Sequence, residues 1–170
     1  MKVTVKYKNR EVEVDIPDEK LEELIKEKQQ TGYERVDKCD DNYYYVGYCG
    51  EIDIDCDCFM ADDNKTYIKG NYYTSKELAE NIARFETLMR RIRRRAAEIC
   101  KPIDWKNFNI PKWYIYFDYG TGKISTSYAH SIRGLFDILF DTEEHAKQII
   151  EEFCDELIWY FTEYKERMDG

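Results

Sequence analysis

Asp53, Asp55 and Asp57 recur at every second residue and alternate with Ile52, Ile54, Cys56 and Cys58. On a strand this places three carboxylates on one face and the apolar groups on the other. Same-face neighbours sit about 7 Å apart. Such a row can be a solvated face over a buried apolar side, an imitation of a phosphate backbone, or a bridge for a cation in metal-dependent cleavage. The row sits within a longer acidic stretch. From Asp37 to Asp63 the chain carries nine acids, among them Asp40, Asp41, Glu51, Asp62 and Asp63, against the single base Lys38. A strongly basic block follows: Arg84, Arg90, Arg91, Arg93, Arg94 and Arg95 against Glu86. The chain as a whole has a formal net charge of −9, so its charge is bipolar and suited to steering charged partners.

Guanidinium forks fit phosphates, which makes Arg84, Arg90, Arg91, Arg94 and Arg95 a candidate phosphate or nucleotide site. Arginines in such a run also pair with nearby acids such as Glu86 and Glu98. Cys39, Cys49, Cys56 and Cys58 could surround zinc, but no C-x₂-C knuckle is present. Alternation directs Cys56 and Cys58 inward, so they are expected as reduced core thiols. The N-terminal residues MKVTVKYKNREVEV alternate and lack the apolar block of a signal peptide, which points to a reducing compartment and no disulfide frame. Gly120-Thr121-Gly122-Lys123 lacks P-loop spacing and reads as a hairpin turn. His130 and His145 have neither triad nor metal spacing, and His145 is expected at the surface. No metal or cofactor is expected, and no apolar run is long enough to span a membrane.

The elements that must position these residues follow from periodicity. Val3, Val5 and Tyr7, then Val12, Val14 and Ile16, alternate around Lys8-Asn9-Arg10 and predict a hairpin. Pro17 opens a short helix with the stripe Leu21, Leu24 and Ile25, stopped near Gly32, and residues 28–42 read as a polar linker. The remainder repeats itself: Tyr43–Phe85 and Trp113–Phe153 each run from an aromatic strand through a Gly-bearing turn, a second strand and an aromatic pair to a capped helix. Tyr43 aligns with Trp113, and Tyr73 with Phe140. Strands are predicted near 43–48, 51–58 and 67–73, and again near 113–119, 123–128 and 135–140. Helices follow Thr74 or Ser75 and Asp141 or Thr142. Leu78, Ile82, Phe85, Met89, Ile92, Ala96 and Ile99 form a heptad seam on the first helix, so a homodimer through residues 75–100 is expected. The second stripe is Ala146, Ile149, Ile150, Phe153, Leu157, Phe161 and Tyr164. The fold class is α+β, with an N-terminal hairpin and helix (1–32) and two antiparallel βββα units (33–102 and 103–170).

Several longer stretches carry a resemblance. They are DIPDEKLEELIKEK from Asp15, TGYERV from Thr31, NYYTSKELAENIARFETLMRRIRR from Asn71, IDW at Ile103, WYIYFDY at Trp113 and EEFCDELIWYFTEYKER from Glu151. Through these the chain resembles a family of small accessory proteins of phages and prophages of Gram-positive bacteria. The resemblance implies a phage gene acting in the host bacterial cytoplasm, in a class that often antagonises host defence. It supplies no catalytic motif, and the Cys- and Asp-rich segment 49–58 departs from the family pattern.

With that setting, the expected function is non-enzymatic. The acidic residues Asp40, Asp41, Glu51, Asp53, Asp55, Asp57, Asp62 and Asp63 would occupy the nucleic-acid groove of a host immune effector such as a CRISPR nuclease, an anti-CRISPR-like mode. The alternatives are a sponge that holds a nucleotide second messenger through the arginines and aromatic rings, and a metal-dependent nuclease built on the carboxylate row.

Overall fold

The computed structural model of the chain describes residues 2–7, 10–15, 17–20, 31–131 and 138–168, the first two stretches as backbone. The architecture is mixed α and β, with three separate two-stranded antiparallel hairpins. β1 (Lys2–Tyr7) pairs with β2 (Arg10–Asp15), Val3 opposite Val14 and Val5 opposite Val12, as the alternation requires. β3 (Asp41–Val46) pairs with β4 (Ile52–Asp57), and β5 (Lys112–Asp118) with β6 (Lys123–Ala129). Residues 18–20 are helical, and the helices described in full are α1 (Ala61–Ile68), α2 (Lys76–Ile99), α3 (Glu143–Glu152) and α4 (Cys154–Thr162). Among the described residues no helix is long and apolar enough to cross a membrane. The stripe Leu21, Leu24 and Ile25 lies outside the described residues.

The third strand of each expected βββ unit is reduced to a single bridge. Tyr44 exchanges both backbone hydrogen bonds with Tyr73, at 2.8 and 2.9 Å, and Trp113 does so with Phe140, at 2.9 and 2.8 Å. Tyr44, not Tyr43, therefore occupies the place of Trp113. Tyr67 and Ile68, expected in that strand, close α1 instead. Asp62 and Asp63 favour the positive end of that helix, and Asp63 reaches back to accept from the amides of Met60 (2.9 Å) and Cys58 (3.0 Å). In the second half, residues 135–137 lie outside the described residues, and Ile138 and Leu139 are not in a strand. Two residues beyond each bridge stands a helix cap: Ser75 Oγ accepts from Leu78 N, and Thr142 Oγ1 from His145 N.

The heptad seam makes α2 the central beam, about 36 Å long. Its first half, Leu78, Ala79 and Ile82, packs with Tyr73, Tyr44, Val46 and Ile52. Its second half, Leu88, Ile92 and Ala96, packs with Phe140, Ala146, Ile149, Phe153 and Leu157, under Trp113, Ile115 and Ile124 of the other hairpin. Each such buried Leu or Ile contributes about 1.5–3 kcal/mol. Phe85 and Met89 are half-buried beside Tyr160 and Tyr164. Much of the seam is thus covered within the chain, while Phe85, Met89 and Ile99 stay half-buried. The last helix is broken at Phe153 (φ −123°, ψ 24°), although neither Pro nor Gly marks the break.

Residues 31–36 are pinned, not a polar linker. Glu34 accepts from Thr31 N and Gly32 N, Met168 N donates to Thr31 O, and Thr74 N donates to Gly32 O. Gly32 is buried at φ +89°, and a Cβ there would stand 2.5 Å from Leu78 Cδ2. Only glycine fits that approach.

Candidate functional site

The β3–β4 hairpin carries the acidic row. β3 is flanked by β4 on one side and by the Tyr73 bridge on the other, which leaves β4 as the outer edge. Only the Ile52 end of β4 reaches the helix cluster. Ile54, expected inside, is 56 % exposed. The cysteines are corrected too: Cys39, Cys49 and Cys56 are exposed and Cys58 is half-buried, so none of them is a core thiol.

The three carboxylates of the row do not share one role. Asp57 is 0 % exposed and accepts from Arg35 Nε at 2.7 Å and Arg35 Nη2 at 2.9 Å, from Phe59 N at 2.7 Å and from Tyr72 Oη at 3.0 Å. The Arg35 fork, despite the opposing effect of burial, pulls the Asp57 carboxyl down to about 2. Arg35 also donates to Asn64 Oδ1 at 2.5 Å and lies over the rings of Phe59 and Tyr67. Tyr72, stacked on Tyr43 with ring centroids 4.2 Å apart, completes this enclosure. Asp57 therefore holds the fold together and is not available to a partner.

The other acids divide likewise. Asp63 is buried as the α1 cap, Asp62 pairs with Lys65 at 2.8 Å, and Asp40 accepts from Cys58 Sγ at 3.4 Å. Glu51 accepts from Cys49 N, and Asp55 from Cys56 N. Among the described residues Asp41, Glu51, Asp53 and Asp55 have no cation partner. Asp53 stands opposite Tyr45 and Asp55 opposite Tyr43. Burial, together with the Asp53, Asp55 and Glu51 carboxylates, pushes the Tyr45 phenol up. The turn has room for this crowding because Gly47 has no side chain: a Cβ there would meet Glu51 Oε1 at 2.5 Å and Asp53 Oδ2 at 2.7 Å.

The arginines are largely engaged. Arg90 pairs with Glu86 at 2.6 Å, Arg91 with Glu156 at 2.8 Å, and Arg95 grips Glu152 through two nitrogens, each at 2.8 Å. Arg84 lies 3.8 Å over the Trp159 ring. Arg93 and Arg94 are exposed and have no acid partner among the described residues. A cleft of about 340 Å³ opens between α2, α4 and the β3–β4 turn. Its wall carries Arg84 and Arg91 but also Glu80 and Glu156, so the charges offset one another.

The fold gathers two clusters of ligand-type side chains, the first unmarked in the spacing and the second overlapping the set Cys39, Cys49, Cys56 and Cys58. Cys100, Asp141 and His145 converge where α2 ends and α3 begins. His145 is half-buried, not a surface residue, with Nδ1 2.6 Å from Asp141 Oδ1, while Lys101 N donates to Asp141 Oδ2. Burial pushes the Cys100 thiol up to about 11, and the imidazole faces the carboxylate. This is a helix junction, not an activated nucleophile. The second cluster joins Cys39, Asp40 and Cys58, whose ligand atoms lie within 4.8 Å of one another. Cys49, at the hairpin turn, is not part of it.

The Gly120–Gly122 segment is the expected turn, with Asp118 accepting from Gly120 N and Thr121 N. Nothing in the local pattern marks Lys112 as buried, yet it is 1 % exposed and its ammonium donates to the carbonyls of Asn107, Ile110 and His130 at 2.9, 2.9 and 3.0 Å.

Compared with protein-family models, curated proteins and solved structures, the chain matches none.

Proposed function

We propose that the chain is a binding protein whose acidic β3–β4 face docks on a basic, nucleic-acid-binding groove of a host immune effector, in the phage counter-defence setting that the resemblance implies. The carrying observation is an asymmetry. Asp41, Glu51, Asp53 and Asp55 are left without cations among the described residues, while Arg84, Arg90, Arg91 and Arg95 are engaged inside the chain. Unpaired carboxylates beside tyrosines complement Arg- and Lys-lined grooves, raising the rate of capture and its salt sensitivity. Asp40, Asp57, Asp62 and Asp63 are assigned to the fold or to local pairs and leave the docking set.

The test is displacement of labelled duplex from a purified CRISPR nuclease. Asp41→Lys, Asp53→Lys and Asp55→Lys together should abolish displacement without lowering the melting temperature. Arg90→Ala, Arg91→Ala and Arg94→Ala should retain it. Displacement that survives the acid reversal, or that is absent across a panel of such effectors, overturns the reading. Asp57 must not be reversed in this experiment, because its loss reports unfolding.

The cleft beside Arg84, Arg91 and Trp159 supports the sponge as a second reading. Cyclic dinucleotide binding lost in Arg84→Ala would favour it over docking.

A further inference from the structure

The geometry points to a binding site for one zinc ion, or a similarly thiophilic divalent cation, formed by Cys39, Asp40 and Cys58 with Cys56 as the fourth ligand. It goes beyond the docking reading and does not depend on it. Residues distant in sequence are brought together from behind. Asp40 N donates to Asp57 O at 3.0 Å, while the Asp57 carboxylate holds Arg35 and Phe59 N. The Cys39 turn and the end of β4 are thus fastened side by side without any help from the thiols. The residue after each of the two cysteines, Asp40 (φ 70°) and Phe59 (φ 57°), is left-handed. That conformation is costly for a bulky residue.

The ligand atoms have few competing partners. Cys58 Sγ donates to Asp40 Oδ1 at 3.4 Å, and its other polar neighbours are the Cys39 and Cys56 thiols. The Asp40 carboxylate and the Cys39 and Cys58 thiols are crowded within 4.8 Å of one another, a congestion that a dication would relieve. At Cys100, Asp141 and His145, by contrast, both carboxylate oxygens are already engaged by Lys101 N and His145. The segment around the thiols, with nine acids to one base, favours cation entry.

Sulfur and carboxylate are zinc ligands, and a tetrahedral ion with Zn–S of about 2.3 Å draws its ligand atoms to within about 3.8 Å of one another. Cys39, Asp40 and Cys58 reach that by side-chain rotation, and the exposed Cys56, outside the 4.8 Å group, turns in as the fourth ligand. Binding converts the three thiols to thiolates and releases their protons to solvent, while Asp40 coordinates through a carboxylate oxygen.

The test uses the full chain, reduced and stripped with chelator, titrated with Co²⁺ and then Zn²⁺. Thiolate-to-cobalt charge-transfer and tetrahedral d–d bands should saturate at one ion per chain and vanish as Zn²⁺ displaces it. Cys39→Ser and Cys58→Ser should each abolish the bands. Cys56→Ser should weaken binding about ten-fold or more. Cys49→Ser should change nothing. Circular dichroism of each metal-free variant, matching metal-free wild type, separates lost ligation from lost fold. Absence of a saturable one-to-one signal overturns the site, as does equal loss in Cys49→Ser and Cys58→Ser, or a Cys39–Cys58 disulfide that persists under reductant. The variant with Asp41, Asp53 and Asp55 reversed retains every ligand and should keep the one-to-one stoichiometry, so failure of docking and failure of the site are read separately.

Discussion

Asp57→Asn, set beside Asp53→Asn, tests whether two acids of one strand have different jobs. The amide is nearly isosteric but carries no charge, and its NH₂ faces the donors of Arg35, which now contribute two hydrogen bonds to the carboxylate. Removing one partner of a buried ion pair costs about 3–5 kcal/mol. Arg35 keeps Asn64 and a side-chain exposure of 23 %, which places the cost near the lower end, about 3 kcal/mol. For a domain of this length, each kcal/mol moves the melting temperature by about 2–4 °C. Asp57→Asn should therefore melt about 6–12 °C below wild type, with a lower urea midpoint and an unchanged slope. Asp53→Asn, half-buried and without a cation, should stay within about 0.5 kcal/mol. Arg35→Lys, which keeps the charge but loses the fork, should fall between the two. A shift below about 2 °C for Asp57→Asn, or equal shifts for both variants, would refute the assignment of Asp57 to the fold.

Lys112→Met should cost about 3 kcal/mol by urea denaturation, because three part-buried carbonyls lose their donor together. Burial holds the Tyr73 phenol up to about 12 against an ordinary 10, so its contribution is full below pH 10 and lost as pH rises to 12; Tyr73→Phe should remove about 2 kcal/mol of that alkaline loss in a pH series of unfolding curves. Double-mutant cycles on Arg91–Glu156 and Arg95–Glu152 should each give less than about 1 kcal/mol and fade in 1 M salt, since both pairs are part-exposed.

Where local pattern decides structure, the sequence was readable. The 4–3 spacing from Leu78 to Ile99 marks α2 with its cap at Ser75, and alternation marks the three hairpins, two of them across Gly-bearing turns. Where one distant contact decides, it was not. Asp53, Asp55 and Asp57 are chemically identical in the pattern, and only Arg35, Tyr72 and Asn64 closing over one end make Asp57 a core residue. The aromatic pair Tyr72–Tyr73 reads as a strand because aromatic residues suit one. A single bridge satisfies Tyr73 while Tyr72 turns into the Tyr43 stack. The acids Asp62 and Asp63 were counted as surface charge, although their position at a helix start was a signal for α1. Lys112 and the break at Phe153 carry no local signal.

The division of labour along β4 also bears on how its two proposed roles coexist. By alternation Cys56 and Cys58 face away from Asp57, so the Arg35 enclosure and the thiol cluster occupy opposite sides of one strand end. Three thiolates and the Asp40 carboxylate around a dication leave a net charge of −2, so a loaded site stays acidic, on the side of β4 opposite Asp53 and Asp55. Metal would then act on docking through order and not through charge, by fixing the Cys39 turn against β4. Chelation should accordingly slow or weaken docking while leaving the salt dependence of association unchanged, because that slope is set by Asp41, Asp53 and Asp55. A chelator that flattened the salt dependence would instead mean that the cluster itself contributes charge to the interface, and would move Asp40 into the docking set.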